Sequence, residues 1–115
     1  MGETVVIWHN PRCRKSREAL ELLRSRGIEP EIREYLKQSP TAEEIADVLA
    51  RLGREPGDIV RRNEKEFREL GLADADAGTL VRAMADHPKL IERPIVLCGE
   101  RAALGRPPEA VLEVV

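Results

Sequence analysis

Cys13 lies where the apolar run Thr4-Val5-Val6-Ile7-Trp8 gives way to a helical pattern, within the segment His9-Asn10-Pro11-Arg12-Cys13-Arg14-Lys15-Ser16. A strand followed at once by a helix aims the helix's first backbone N–H groups at the junction, where the positive end of the dipole also falls. A thiol held there is expected to ionise more readily, and Arg12, Arg14, Lys15 and His9 add positive charge nearby. The ordinary role of a free cysteine is that of a small buried hydrophobe, but cationic neighbours favour thiolate chemistry. The spacing Cys-x-x-Ser puts Ser16 where a dithiol oxidoreductase carries its second cysteine. No disulfide can close within the motif, so an outside thiol must finish any reaction begun at Cys13. His9 could steady the thiolate by charge or by a hydrogen bond, or be a packed side chain at a strand end. Asn10 and Ser16 are supporting candidates, and both also fit ordinary roles in a turn and a first helical turn.

Arg61, Arg93 and Arg106 each stand at a junction, in Val60-Arg61-Arg62-Asn63, Glu92-Arg93-Pro94-Ile95 and Gly105-Arg106-Pro107-Pro108. Guanidinium forks match tetrahedral oxyanions bidentately, and three of them around a thiolate would hold phosphate, sulfate or arsenate against it. Each lies beside a helix end or a strand start, where rigid elements can aim a side chain into a shared cleft, but the sequence by itself does not prove that they converge. A single arginine taken alone is by default a solvated surface residue. Cys98, in the apolar stretch Ile95-Val96-Leu97-Cys98, has no cation in its immediate sequence and reads as structural.

The elements that must position these residues follow from periodicity. After the first strand, Ala19, Leu20, Leu22 and Leu23 give one apolar face to a helix that Gly27 can end. Glu31 to Leu36 reads as a second strand, and Thr41 with Glu44 as a capping box opening a helix with Ile45, Val48, Leu49 and Leu52 on one face before Gly53. Residues 56–86 stay helical in pattern, broken at Gly71 and at 74–78, until His87-Pro88 closes the segment. Pro94 to Cys98 reads as a buried strand, Gly99-Glu100 as a hairpin turn, Arg101 to Ala103 as its partner, and Pro107-Pro108 as the start of a last helix carrying Ala110, Val111 and Val114. The order is β-α-β, a helical insertion over about residues 41–88, then β-β-α. Without the insertion this is the thioredoxin arrangement, an α/β fold with a mixed four-stranded sheet flanked by helices.

Composition sets the limits. A chain of 115 residues is long enough for one domain and one core. Charged residues make up 35%, yet they cancel to a net charge of −2, which argues against a general nucleic-acid or membrane-surface binder. Trp8, Tyr35 and Phe67 are the whole aromatic complement, too few for a base-stacking platform. No signal-peptide pattern or membrane-length apolar run is present, so a cytoplasmic location is expected. His9 and His87 fall in no recognised metal-ligand spacing, and no metal is expected.

From end to end the chain resembles the glutaredoxin-linked arsenate reductase family. The resemblance is carried in order by His9-Asn10-Pro11-Arg12-Cys13-Arg14-Lys15-Ser16-Arg17, the Pro30-to-Leu36 strand, Arg61-Arg62-Asn63, Leu70-Gly71-Leu72-Ala73, His87-Pro88-Lys89-Leu90-Ile91, Arg93-Pro94-Ile95-Val96 and Gly105-Arg106-Pro107-Pro108. It implies that Cys13 is the nucleophile, that Arg61, Arg93 and Arg106 bind the oxyanion, and that His9 is the motif histidine; the three arginines are then expected to converge on one cleft with the Cys13 sulfur at its floor. It further implies a cis peptide before Pro94, a thioredoxin-like fold with an inserted helical subdomain, and no bound cofactor. Glutathione is the implied electron-donating co-substrate, glutaredoxin the partner that resolves Cys13, and the protein is expected to be a monomer. Arg14-Lys15 replaces small uncharged residues in the motif, and the extra C-terminal tail of the best-known members is missing. Two alternatives of other classes share the fold: a monothiol oxidoreductase acting on another oxyanion or on mixed disulfides, and a regulator that binds RNA polymerase, as Spx-type proteins do. Such regulators typically rely on Cys-x-x-Cys, which Ser16 interrupts.

Overall fold

The structure, a computed structural model, describes residues 4–115. It divides into two compact units, one comprising residues up to 38 together with 93–115, the other residues 39–92.

The first unit is a mixed four-stranded sheet of order β2-β1-β3-β4, in which β1 is Val5–Trp8, β2 Glu31–Arg33, β3 Ile95–Cys98 and β4 Arg101–Leu104. β1 runs parallel to β2 and antiparallel to β3, and β3 pairs antiparallel with β4 through the turn at Gly99. Gly99 adopts φ +59°, the left-handed conformation that suits glycine in a tight hairpin turn. Helix α1 (Arg14–Ser25) and the 3-10 segment Pro108–Glu113 bury their apolar sides with this sheet. Ile7, Ala19, Leu20, Leu23, Val96, Ala103, Val111 and Val114 form the resulting core. This is the thioredoxin-like sheet that the sequence implies.

Two boundaries differ from the sequence reading. β2 stops at Arg33 rather than Leu36, because the amides of Lys37 and Gln38 both turn back onto the Glu34 carbonyl. The last segment winds as a 3-10 helix and not as an α-helix. It is six residues long, opens on Pro108 and closes with i→i+3 bonds, the Ala110 amide donating to the Pro107 carbonyl at 3.0 Å.

The second unit is helical: α2 (Ala42–Leu52), α3 (Pro56–Ile59), α4 (Lys65–Glu69) and α5 (Ala77–Asp86), with 3-10 turns at Leu72–Asp74 and Pro88–Leu90. The capping box at α2 is complete, with Thr41 Oγ1 accepting from the Glu44 amide at 3.1 Å and Glu44 Oε1 from the Thr41 amide at 3.0 Å. Ile45, Val48, Leu49, Ile59, Leu80, Met84 and Leu90 are buried. The helical pattern is interrupted once more than periodicity indicates. Val60 leaves the helical path to bridge Ile91 in antiparallel fashion, and a long-range strand pair of this kind leaves no mark in local spacing.

Candidate active site

β1 delivers the motif. Its last residue, Trp8, pairs with Ile95, the first residue of β3, and Ile95 pairs with Leu104, the last of β4. The register therefore sets three chain junctions at one end of the sheet: His9 to Cys13 leaving β1, Arg93-Pro94 entering β3, and Gly105-Arg106 leaving β4.

Between strand and helix, Asn10-Pro11-Arg12-Cys13 closes a turn, the Cys13 amide donating to the Asn10 carbonyl at 2.9 Å and the Arg12 amide to Asn10 Oδ1 at 3.0 Å. Proline at the second position pre-sets this turn. Cys13 is the N-cap of α1, with extended backbone (φ −94°, ψ 122°) and no capping bond to its sulfur. Its carbonyl accepts the Arg17 amide at 3.0 Å. Of the cations in the motif, Arg14 is directed along the helix onto Glu18, at 3.0 Å.

His9 and Ser16 are both buried. The Ser16 hydroxyl accepts the Asn10 amide at 3.0 Å and lies 2.6 Å from His9 Nδ1. The His9 Nδ1–Ser16 contact is a hydrogen bond whose donor is set by the histidine tautomer. Burial lowers the His9 pKa below its usual 6.5, with Arg24 and Arg17 reinforcing the shift and Glu34 opposing it. The shift favours the neutral ring. His9 engages Ser16, and the pair, through Asn10, ties the start of the cysteine turn to the first turn of α1.

This arrangement predicts a pH dependence. Because the folded-state pKa lies below the unfolded one, the unfolded chain binds the proton more readily, and stability is lost as pH falls below about 6.5. Denaturation midpoints measured from about pH 8 to about pH 5 should fall more steeply for the wild type than for His9→Asn, which keeps a polar atom near Nδ1 but does not titrate. Equal slopes would show that His9 is not the group responsible.

Arg93 and Arg106 meet through the backbone, Arg106 Nε donating to the Arg93 carbonyl at 3.1 Å, and the Gly105 amide donates to the Pro94 carbonyl at 2.8 Å. The peptides before Pro94 and Pro107 are both cis, the first as the resemblance implies, the second unanticipated. Arg93 Nε is buried with no hydrogen-bond partner among the described residues. Arg61 belongs to the helical unit, where its amide donates to the Leu90 carbonyl at 2.7 Å and its guanidinium meets two carboxylates, Glu64 and Glu92. Cys98 is buried at the opposite end of β3 from Pro94; contrary to the sequence reading a cation does stand beside it, because the β3–β4 pairing sets Arg101 opposite and its Nη2 lies 3.8 Å from the sulfur.

Three residues escaped the sequence reading. Gly105 closely approaches Pro94 and Val111, a tertiary contact with no local signature. Glu64 was visible as the i+3 partner of Arg61. Glu92 was not, since it reaches Arg61 only through the Val60–Ile91 bridge. Among the described residues no cluster of His, Cys, Asp and Glu could hold a metal, and no helix is long and apolar enough to cross a membrane.

A thioredoxin-like sheet with one cysteine capping the first helix and arginines flanking a cis-proline defines the class. The chain belongs to the ArsC family, whose profile matches residues 8–114. The structure superposes on an arsenate reductase from Vibrio cholerae with a TM-score of 0.95 and 47% identity, covering 100% of both chains. An arsenate reductase of Neisseria meningitidis is 46% identical over 93% of this chain and 94% of its own length. The uncharacterized protein YfgD of Escherichia coli K12 is 47% identical over 100% of this chain and 99% of its own length.

Proposed function

We propose that this protein reduces arsenate to arsenite through the single thiol of Cys13, with glutathione as electron donor and glutaredoxin as the partner that regenerates the enzyme. Cys13 at the N-cap of α1, with a serine rather than a second cysteine one turn on, is the observation that carries the reading. Family membership and the arsenate reductases among the relatives support the substrate. The buried, unpartnered Nε of Arg93 supports an oxyanion site at the same end of the sheet, because a buried donor without an acceptor is costly and an anion oxygen would satisfy it.

In the proposed reaction the Cys13 thiolate attacks arsenic, an arsenate oxygen leaves as water or hydroxide, and a covalent thiol–arsenate adduct forms. Arg61, Arg93 and Arg106 bind the oxyanion and stabilise the charge that builds on its oxygens. Glutathione thiolate then attacks the Cys13 sulfur, the S–As bond breaks, and its electron pair goes to arsenic, which leaves as arsenite. Two sulfurs have lost one electron each, arsenic has gained two, and Cys13 is left in a mixed disulfide with glutathione that glutaredoxin reduces. His9 and Ser16 are positioning residues in this scheme. A single-turnover reaction that counts arsenite against glutathionylated Cys13 tests it.

A further inference from the structure

Arg61 is held in a setting unlike that of Arg93. Val60 bridges Ile91, the Arg61 amide donates to the Leu90 carbonyl at 2.7 Å, and the Glu92 amide donates to the Ile59 carbonyl at 2.8 Å. These bonds lock residues 59–61 against 90–92. On this frame Glu64 Oε1 accepts from Arg61 Nη1 at 2.6 Å, and Glu92 Oε1 lies 3.7 Å from Nε. The side chains of Arg61, Glu64 and Glu92 are only 24%, 26% and 23% exposed, so solvent screens the group weakly. The Arg61 guanidinium faces two carboxylates. An arginine meant simply to attract anions is poorly served by such company, since each carboxylate competes for its N–H donors and repels the incoming charge.

The conflict resolves if the anion brings a proton. Arsenate and phosphate keep at least one O–H at neutral pH, whereas sulfate is fully deprotonated. An anion seated on the Nη edge of Arg61 lies beside the Glu64 carboxylate. A protonated oxygen turned toward that carboxylate donates a charge-assisted hydrogen bond, while a bare oxygen in the same place meets like-charge repulsion. We propose that Glu64 is a specificity-determining residue, accepting a hydrogen bond from the protonated oxygen of the bound anion and so selecting arsenate and phosphate against sulfate. Glu92 holds the guanidinium from its Nε side. This inference rests on the reading of Arg61 as an oxyanion-binding residue and adds to it the basis of selection.

Calorimetric titration of the wild type, Glu64→Gln and Arg61→Ala with arsenate, phosphate and sulfate, without any thiol donor, separates the two ideas. The wild type should bind arsenate and phosphate at least about tenfold more tightly than sulfate. In Glu64→Gln that ratio should shrink to about threefold or less, chiefly through a gain in sulfate affinity. Glu64→Ala removes the acceptor altogether and must show the same loss of selectivity, which guards against an effect peculiar to glutamine. If both Glu64 variants keep the wild-type ratio while Arg61→Ala weakens all three anions, the proposal is overturned and Arg61 stays in the site. If Arg61→Ala leaves all three affinities unchanged, the oxyanion-binding role of Arg61 fails and the proposal with it.

Discussion

Cys13→Ser is expected to lower arsenite release by at least about a thousandfold, to the level of the uncatalysed reaction, while the fold persists. A hydroxyl in the same place is neither ionised at neutral pH nor able to form a disulfide, so both the attack on arsenic and the exchange with glutathione are lost. The structural cost is small, because the Cys13 sulfur makes no capping bond in α1. Cys98→Ala gives the contrasting result. Cys98 pairs with Val5 at one end of the sheet, whereas the cysteine turn follows Trp8 at the other. Three residue steps along β3 separate these ends, about 10 Å at the usual strand rise, which is beyond the span of a disulfide. Turnover of Cys98→Ala should therefore stay within about twofold of wild type, with at most about 1 kcal/mol of stability lost from the truncated core side chain. Loss of activity in Cys98→Ala equal to that in Cys13→Ser would replace the monothiol scheme with a two-cysteine relay.

Gly105→Ala is expected to damage both stability and activity, although position 105 touches no part of the cysteine turn by hydrogen bond. A Cβ there would stand 2.5 Å from Pro94 Cγ, 3.0 Å from Pro94 Cδ and 3.3 Å from Val111 Cγ1. A proline ring cannot swing aside as the end of a long side chain can, and the 2.8 Å bond from the Gly105 amide to the Pro94 carbonyl ties the two strands together at this point. Relief must come from moving Arg93-Pro94, Gly105-Arg106 or the 3-10 segment carrying Val111. Overpacking of this kind costs about 1–3 kcal/mol, equivalent to several degrees in Tm. Because Arg93 and Arg106 flank the displaced backbone, kcat/KM for arsenate should drop at least about tenfold. Gly57→Ala is the control. Its Cβ would meet only the far end of the Arg62 side chain, at 3.4 Å, inside helix α3, where alanine is the better helix former. Thermal melts and steady-state kinetics on the two variants decide the matter, and equal behaviour would show that the approach of Gly105 to Pro94 is not what orders this end of the sheet.

What could be read from the chain beforehand was local. The capping box Thr41–Glu44, the strand-to-helix junction at Cys13 and the hairpin at Gly99 depend on residues within a few positions of one another, and all three stand in the structure. The misread segments depend on distant partners or on backbone chemistry that apolar spacing hides. Val60 departs from its helical pattern to bridge Ile91, and the last segment has its apolar residues at helical positions yet winds as 3-10 from Pro108 to Glu113. The candidate site divides in the same way. Residue type and position singled out Cys13, but the direction of His9 toward Ser16, the closeness of Gly105 to Pro94 and the second carboxylate on Arg61 come from packing.

The proposed chemistry makes one stoichiometric demand. The wild-type protein is mixed with arsenate and glutathione, without glutaredoxin, and quenched after a single turnover; arsenite is quantified, and intact-mass and peptide analysis locate any glutathione bound to the chain. One arsenite should appear for each chain that carries a single glutathione on Cys13, and adding glutaredoxin should remove the modification and restart turnover. Arsenite formed in equal yield with Cys13 unmodified, or with a disulfide between Cys13 and Cys98, would contradict the single-thiol account.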